Sequence, residues 1–414
     1  MKRKIVVLVG IVLCSMLLAA ILCGTASALK SAFTLDIYGN ANEDTTIDMR
    51  DVTFTERIIL GLNASSDLAD ANYDGRIDMR DVTQTELIIL GKEKELTIID
   101  TANRTVTVKK PLKRIVVFTS DILEPMRSIN ATDEVVGVDT YTLQKEVFFT
   151  EFADYPCVGS VWSPDYEALL ALNPDAVFTY ASYGKDIPDK LEELDPNIAT
   201  VCLDCFDPLV YVEEVTKLAY ILGRMEEAKE FLDFYEGFLN TIMERVSDIP
   251  EEDKPRVYFE AWDKYKTVGT GSGRHTEIVI AGGKNIFDDL SGTVKIDPEE
   301  LIKRDPEVII RGTWINGFET DDIAELSVIR DEIVNRPELA GVSAVKNGRV
   351  YVTAEGIPSG ASFFVRIGNY AKWFYPELFE DFDPIAYLQE YLTRFQRLDF
   401  NVSEEGVFVY PEAG

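Results

Sequence analysis

The sequence predicts an α/β protein: two lobes of parallel strands joined by one long helix, preceded by a small all-α unit with paired acidic loops. Three observations carry this. Short apolar strands alternate with helical stretches from Leu96 onward, the signature of a parallel layer flanked by helices. The pattern occurs twice, on either side of one helical stripe from Met225 to Val246, in which Ala228, Phe231, Leu232, Tyr235, Leu239, Ile242 and Val246 fall three or four apart. Before both lobes, a fifteen-residue block beginning at Ile47 recurs at Ile77.

The chain has 414 residues, enough for two or three domains. Lys and Arg number 41 against 72 Asp and Glu, a formal net charge of −31 that would repel nucleic acid and anionic lipid. At the N-terminus, Lys2, Arg3 and Lys4 precede an apolar run from Ile5 to Cys23, and Ala26 and Ala28 follow. Residues 1–28 therefore read as a secretory signal cut after Ala28, or as an uncleaved anchor with the basic end inside. Ile21 and Leu22 before Cys23 do not supply the small residue that a lipoprotein signal requires. Either way the body lies outside the cytoplasm, and Asn63, Asn103, Asn130 and Asn401 begin candidate glycosylation sequons. Cys157, Cys202 and Cys205 are too few for a disulfide framework and too isolated for a zinc site; one disulfide or inert thiols are the readings left open.

Residues 33–93 form the doubled unit. In the second copy Asp70, Asn72, Asp74, Asp78 and Asp81 occupy loop positions 1, 3, 5, 9 and 12, the Arg76 carbonyl falls at 7, and Gly75 makes the turn. This spacing gathers the oxygens that a hard cation such as calcium requires. The first copy offers Asn40, Asn42, Asp44, Asp48 and Asp51, with the Thr46 carbonyl at 7. It has one charge fewer, and Thr45 replaces the glycine. A helix follows each loop. Loop-plus-helix pairs of this length resemble a type I dockerin module. The resemblance implies calcium in both loops and a cohesin-bearing partner contacted through positions 10 and 11, here Met49 and Arg50, and Met79 and Arg80.

The first lobe is read over residues 96–223. Its short strands near Ile115, Val135, Pro156 and Ala176 each end in polar or aromatic residues: Thr119 to Asp121, Tyr141, Trp162, Tyr180 and Tyr183. Ligands of parallel sheets gather beyond the carboxyl ends of the strands, so these aromatics are candidates for the wall of a binding cleft. The long helix is assigned to 224–248, the second lobe to 249–400 and a tail to 401–414. In the second lobe Trp262, Arg274, Arg311 and Trp314 are the cleft candidates, with Arg366 and Tyr351 nearby. Arginine forks would suit carboxylate or hydroxamate oxygens of an iron chelate. His275 is the only histidine, which excludes a His-rich metal site and a Ser-His-Asp triad built elsewhere. The run from Gly269 to Gly273 lacks the Lys-Ser/Thr ending of a phosphate loop.

The ordered segments Ile98 to Asp100 with Thr105 to Val108, Lys113 to Val116, Val135 to Val138, Val158 and Gly159, and Glu167 to Asp175 resemble the extracytoplasmic binding proteins of iron-complex and vitamin B12 ABC importers. The likeness runs from about Leu96 to Phe395. It implies two Rossmann-like lobes, no catalysis, a transported metal complex as ligand and a membrane permease as partner, the protein acting as a monomer. Glu167 and Glu299 each stand seven residues before a proline, Pro174 and Pro306, that leads into a strand. The resemblance assigns these two glutamates to docking on permease arginines. A cell-surface assembly protein with a degenerate two-lobed part is the alternative.

Overall fold

The computed structural model describes residues 33–315 and 317–412, so the expected signal or anchor at 1–28 lies outside the described residues. The first lobe is built on a four-stranded parallel sheet in the order Val135–Val138, Ile115–Val117, Ala176–Thr179, Ala199–Cys202. The second holds a seven-stranded mixed sheet whose parallel centre is Arg256–Glu260, Val308–Thr313 and Val350–Ala354. The central strands are buried along nearly their whole length, which is why they read as continuous apolar runs.

The bridging helix spans Met225–Val246, the bounds its periodicity predicts, and buries Ala228, Phe231, Leu232, Tyr235, Phe238, Leu239, Ile242 and Val246. Gly223, at φ 68°, ends the preceding helix Tyr211–Leu222 in the left-handed conformation and turns the chain. The bridge packs against Ser120–Ser128 and Tyr211–Leu222 of the first lobe and against Gly273–Ile280 and Ser359–Phe374 of the second. One apolar core runs through both lobes around it. A helix of 22 residues packed on both sides resists bending far more than a flexible strand crossover would.

Two expectations are corrected and one open choice is decided. Pro156 to Gly159 is not a full sheet strand: Cys157 makes a single parallel bridge to Val138, and the chain then folds back as the hairpin Gly159–Ser160 with Ser163–Pro164. Gly159, at φ 81°, makes that reversal; a Cβ there would lie 2.3 Å from the Ser163 carbonyl oxygen. The segment read as a tail belongs to the second lobe, because Val409–Tyr410 adds an antiparallel edge strand to Val350–Ala354. All three cysteines of the body are free, and Cys202 and Cys205 are buried; burial pushes the Cys202 thiol up to about 12, consistent with inert thiols.

The doubled unit is joined to the first lobe rather than hung from it. Its two helices, Met49–Ile59 and Met79–Ile89, pack on each other. Ile37 pairs with Ile98 of the hairpin Glu95–Ile99/Thr105–Lys109, and Leu35, Ile37, Ile47 and Ile88 enter the main core. The buried Tyr220 hydroxyl accepts from the Ile47 N–H at 2.9 Å, one residue before the capping Asp48.

Candidate functional site

The carboxyl ends of both sheets meet where the lobes touch. Thr119 caps the helix Ser120–Ser128, which places Asp121 and Glu124 at the boundary. Asp121 accepts from the Ser359 hydroxyl of the second lobe at 2.8 Å and from the Tyr180 hydroxyl. The fully buried Glu124 accepts from the Gly360 and Ala361 N–H groups at 2.7 and 2.8 Å and from the Tyr391 hydroxyl at 2.7 Å. Glu124 therefore takes the free N–H groups at the amino end of the helix Ser359–Phe374, and Asp121 holds its first residue through the Ser359 hydroxyl. Further crossings are Val147 N–H to Glu319 at 2.9 Å and the Phe148 and Phe318 rings 5.0 Å apart.

Burial pushes Glu124 up to about 7, Glu214 to about 7 and Asp139 to about 6. Each folded value lies above the unfolded one, so the fold favours the protonated forms. Their contribution to stability is complete below the ordinary carboxylate range and is lost as pH rises through about 6 to 7. Denaturant titrations at pH 5.5 and 8 should show lower stability at pH 8, and Glu124→Gln should flatten that dependence.

Above this boundary the first lobe carries an aromatic cluster. Trp162 and Tyr183 have ring centroids 5.5 Å apart, Tyr180 and Tyr183 also 5.5 Å, and Phe206 lies 5.6 and 5.8 Å from Tyr180 and Tyr183. Trp162 is 66% exposed and Tyr183 42%, so two rings of the cluster present apolar surface to solvent side by side. Tyr141 is also exposed, on the short helix capped by Asp139, outside this ring cluster. The second lobe contributes Trp262 and Trp314, 5.7 Å apart and both exposed. Its glycine turn abuts the aromatic cluster: a Cβ on Gly273 would lie 3.7 Å from the Phe206 carbonyl oxygen.

The arginines assigned to the cleft are committed within the protein, which corrects that expectation. Arg274 donates to Glu355 and Glu277, both at 2.7 Å. Arg311 donates to Glu260 at 3.1 Å and to the Trp262 carbonyl at 2.6 Å, so it fixes the tryptophan loop. Arg366 is buried in a two-pronged pair with Glu277, and Tyr351 stacks on Trp373 at 4.2 Å. Ring nitrogen Nδ1 of His275 lies 3.2 Å from the Asn285 amide, a local contact. The sequence reading missed Phe206, Glu124 and Ser359; only the position of Phe206 just past the strand Ala199–Cys202 signals its role.

Glu167 and Glu299 occupy the same place in the two lobes. Each is exposed, in the first turn of a short helix capped by an aspartate, Asp165 or Asp297. Neither makes an ion pair among the described residues.

The paired loops fold alike. Asp51 and Asp81 are fully buried and each accepts two backbone N–H groups, from Asn42 and Asp48 and from Asn72 and Asp78. Desolvation holds both carboxyls above the usual range. Arg50 bridges Asp44 and Asp48, each at 2.9 Å, and Arg80 bridges Asp74 and Asp78 at 2.5 and 2.7 Å. Asp70 closes the second loop on the N–H groups of Asp74 and Gly75; in the first, buried Asn40 leaves its Oδ1 without a partner. Among the described residues no three acidic, His or Cys side chains converge on one metal point as they stand. The donor set nevertheless fits a hard cation: all its ligands are oxygens, two acids in each copy already surround a guanidinium, and one buried acceptor is unmatched. Met49 and Met79 are exposed beside the two arginines.

The periplasmic binding protein family model matches residues 115–355. An uncharacterized ABC transporter substrate-binding lipoprotein of Bacillus subtilis, YvrC, is 25% identical over 294 residues, covering 69% of this chain and 87% of its own. The molybdate-binding protein MolA of Haemophilus influenzae is 21% identical over 336 residues, 73% of this chain and 91% of its own. Among solved structures, a TroA-like periplasmic binding protein, FepB, from Veillonella parvula superposes with a TM-score of 0.61 at 25% identity, over 76% of this chain and 98% of that one. Helicobacter pylori CeuE in a nickel–histidine complex gives 0.57 at 21% identity, over 75% and 97%. No helix among the described residues is long and apolar enough to cross a membrane. The family match takes in the first sheet, the parallel centre of the second, the long helix between them and the aromatic loops at the lobe boundary; this chain belongs to the periplasmic binding protein family.

Proposed function

We propose that this protein is the extracytoplasmic substrate-binding component of an ABC importer that captures a metal complex, of the ferric siderophore, haem or cobalamin class, and delivers it to the permease. The observation that carries the reading is the pair of aromatic walls at the carboxyl ends of two sheets joined by one helix: exposed Trp162 and Tyr183 backed by Tyr180 on one lobe, and exposed Trp262 and Trp314 on the other. Such walls suit a large, flat or greasy cargo. The relatives support the transport role, being named as ABC transporter substrate-binding or molybdate-binding proteins. Glu167 and Glu299, exposed and equivalent in the two lobes, are the docking acids. No catalysis is needed: capture is cargo held between the lobes, and release follows docking. In a thermal-shift screen, a metal complex present at about 100 times its dissociation constant should stabilise the protein by about 2.7 kcal/mol. No shift with any ferric siderophore, haem or cobalamin would reject the reading.

The loops add a second element, calcium-dependent attachment of dockerin type to a cohesin-bearing partner. Asn40, Asn42, Asp44, Thr46, Asp48 and Asp51 would hold one ion, and Asp70, Asn72, Asp74, Arg76, Asp78 and Asp81 the other, the ion neutralising acids that now face one another. Calorimetric titration with calcium should reveal one tight site and one weaker site, the weaker being the loop with Asn40 and Thr45. Asp74→Lys with Asp78→Lys should abolish the tight one; two unchanged sites would reject the assignment.

A further inference from the structure

We infer that the cleft selects cargo without net negative charge, a neutral or cationic complex, and rejects oxyanions and anionic chelates. The inference rests on the reading of the aromatic cleft as the cargo site. It comes from a charge inventory of the lobe boundary. On the second lobe, Arg274 and Arg366 are matched by Glu277 and Glu355, and Arg311 and Arg336 by Glu260 and Glu332. None of these guanidiniums keeps two adjacent N–H groups free for two-pronged carboxylate or phosphate recognition; the unpartnered Nε–H groups of Arg311 and Arg336 are buried beside nitrogens already engaged.

The first lobe has the opposite imbalance. Asp121, Asp139 and Asp204 follow three of the four strands, Ile115–Val117, Val135–Val138 and Ala199–Cys202, and none makes an ion pair among the described residues. Asp121 is satisfied by the Ser359 and Tyr180 hydroxyls, Asp139 by the N–H groups of Tyr141 and Thr142 and the Thr142 hydroxyl, and Asp204 by Ala181 and Ser182. Neutral donors orient these carboxylates and leave their charge uncancelled. Of the nearby lysines, Lys145 acts on Asp139 without forming an ion pair, Lys185 is exposed, and Lys266 is drawn to Asp263.

The Lys266 ammonium lies 4.0 Å from the centre of the Trp262 ring, so that ring face is already covered by a positive charge. The exposed rings Trp162, Tyr183 and Trp314 carry no such partner among the described residues; their faces are electron-rich, and with unpaired carboxylates at the strand ends they favour cations by both means. An anion there would meet ring faces and acids together.

The test uses two iron porphyrins of matched bulk, one bearing N-methylpyridinium groups and one bearing sulfonatophenyl groups, with dicyanocobinamide and molybdate as further probes. Calorimetric titration of the full calcium-loaded protein should give at least about tenfold tighter binding of the cationic porphyrin than of the anionic one. Asp121→Asn, which keeps an oxygen for Ser359, should narrow that ratio by about fivefold, the worth of one charge of about 1 kcal/mol at contact in water. Trp162→Ala with Trp314→Ala should weaken the cationic probe, which general attraction to a chain of net charge −31 would not do. Equal or tighter binding of the sulfonated porphyrin or of molybdate overturns the charge inference while leaving a cargo cleft in place. Binding of no probe overturns both, as does cationic binding indifferent to the tryptophan replacements.

Discussion

Replacing Glu277 with alanine should cost the protein about 3–5 kcal/mol, the scale for breaking a buried ion pair by removing one partner. Glu277 has no exposed surface, and it accepts from Arg366 twice at 2.8 Å and from Arg274 at 2.7 Å. Without it, the buried Arg366 keeps only a 3.9 Å approach to Glu355, and its charge stays desolvated between the helices Gly273–Ile280 and Ser359–Phe374. Those helices carry the bridging helix on their flank, so the loss should spread to the packing of the two lobes. Urea denaturation followed by far-ultraviolet circular dichroism would measure it. Removing the Arg366 charge as well, in a double replacement by Met and Leu, should recover part of the loss, since a well-packed apolar pair often matches a buried ion pair.

Charge reversal at both proposed docking acids should have the largest functional effect. Glu167→Lys with Glu299→Lys should reduce stimulation of the reconstituted permease ATPase by about tenfold or more, because like charges placed across an interface cost several kcal/mol. Cargo affinity should be unchanged, since both residues stand on exposed first turns and neither belongs to the ring clusters. Either single reversal should cost less than half the double in free energy if the permease reads the two positions together. Two exposed ion pairs are individually weak, and it is their fixed separation across the rigid bridge that would make them specific.

Local patterns made much of this architecture legible. The helix Met225–Val246 was readable to the residue because its stripe of apolar side chains is set by helical period alone. The equivalence of Glu167 and Glu299 was legible for the same reason: cap, turn and proline all lie within a few residues of each. The roles of the arginines were not, because a charge is matched by whatever the fold brings to it. Arg274 meets Glu355 across 81 residues of sequence, and Arg336 meets Glu260 across 76. The docking of the paired loops onto the first lobe was hidden likewise, since Tyr220 reaches Ile47 across 173 residues. Phe206 shows the intermediate case, a ring whose place past a strand end was readable but whose partners Tyr180 and Tyr183 come from another strand.

The central claim, that cargo lies between the two aromatic walls, is tested most directly by intrinsic fluorescence. Of the four tryptophans, Trp162, Trp262 and Trp314 are exposed at the cleft and Trp373 is buried 4.2 Å from Tyr351. Titration with an iron porphyrin or a cobinamide should quench most of the emission saturably. With tryptophan excited selectively, the quenching should be strongly reduced in Trp162→Phe, Trp262→Phe, Trp314→Phe protein, whose only tryptophan is Trp373. Saturable quenching that persists undiminished in that triple variant, or none with any complex, would contradict the account.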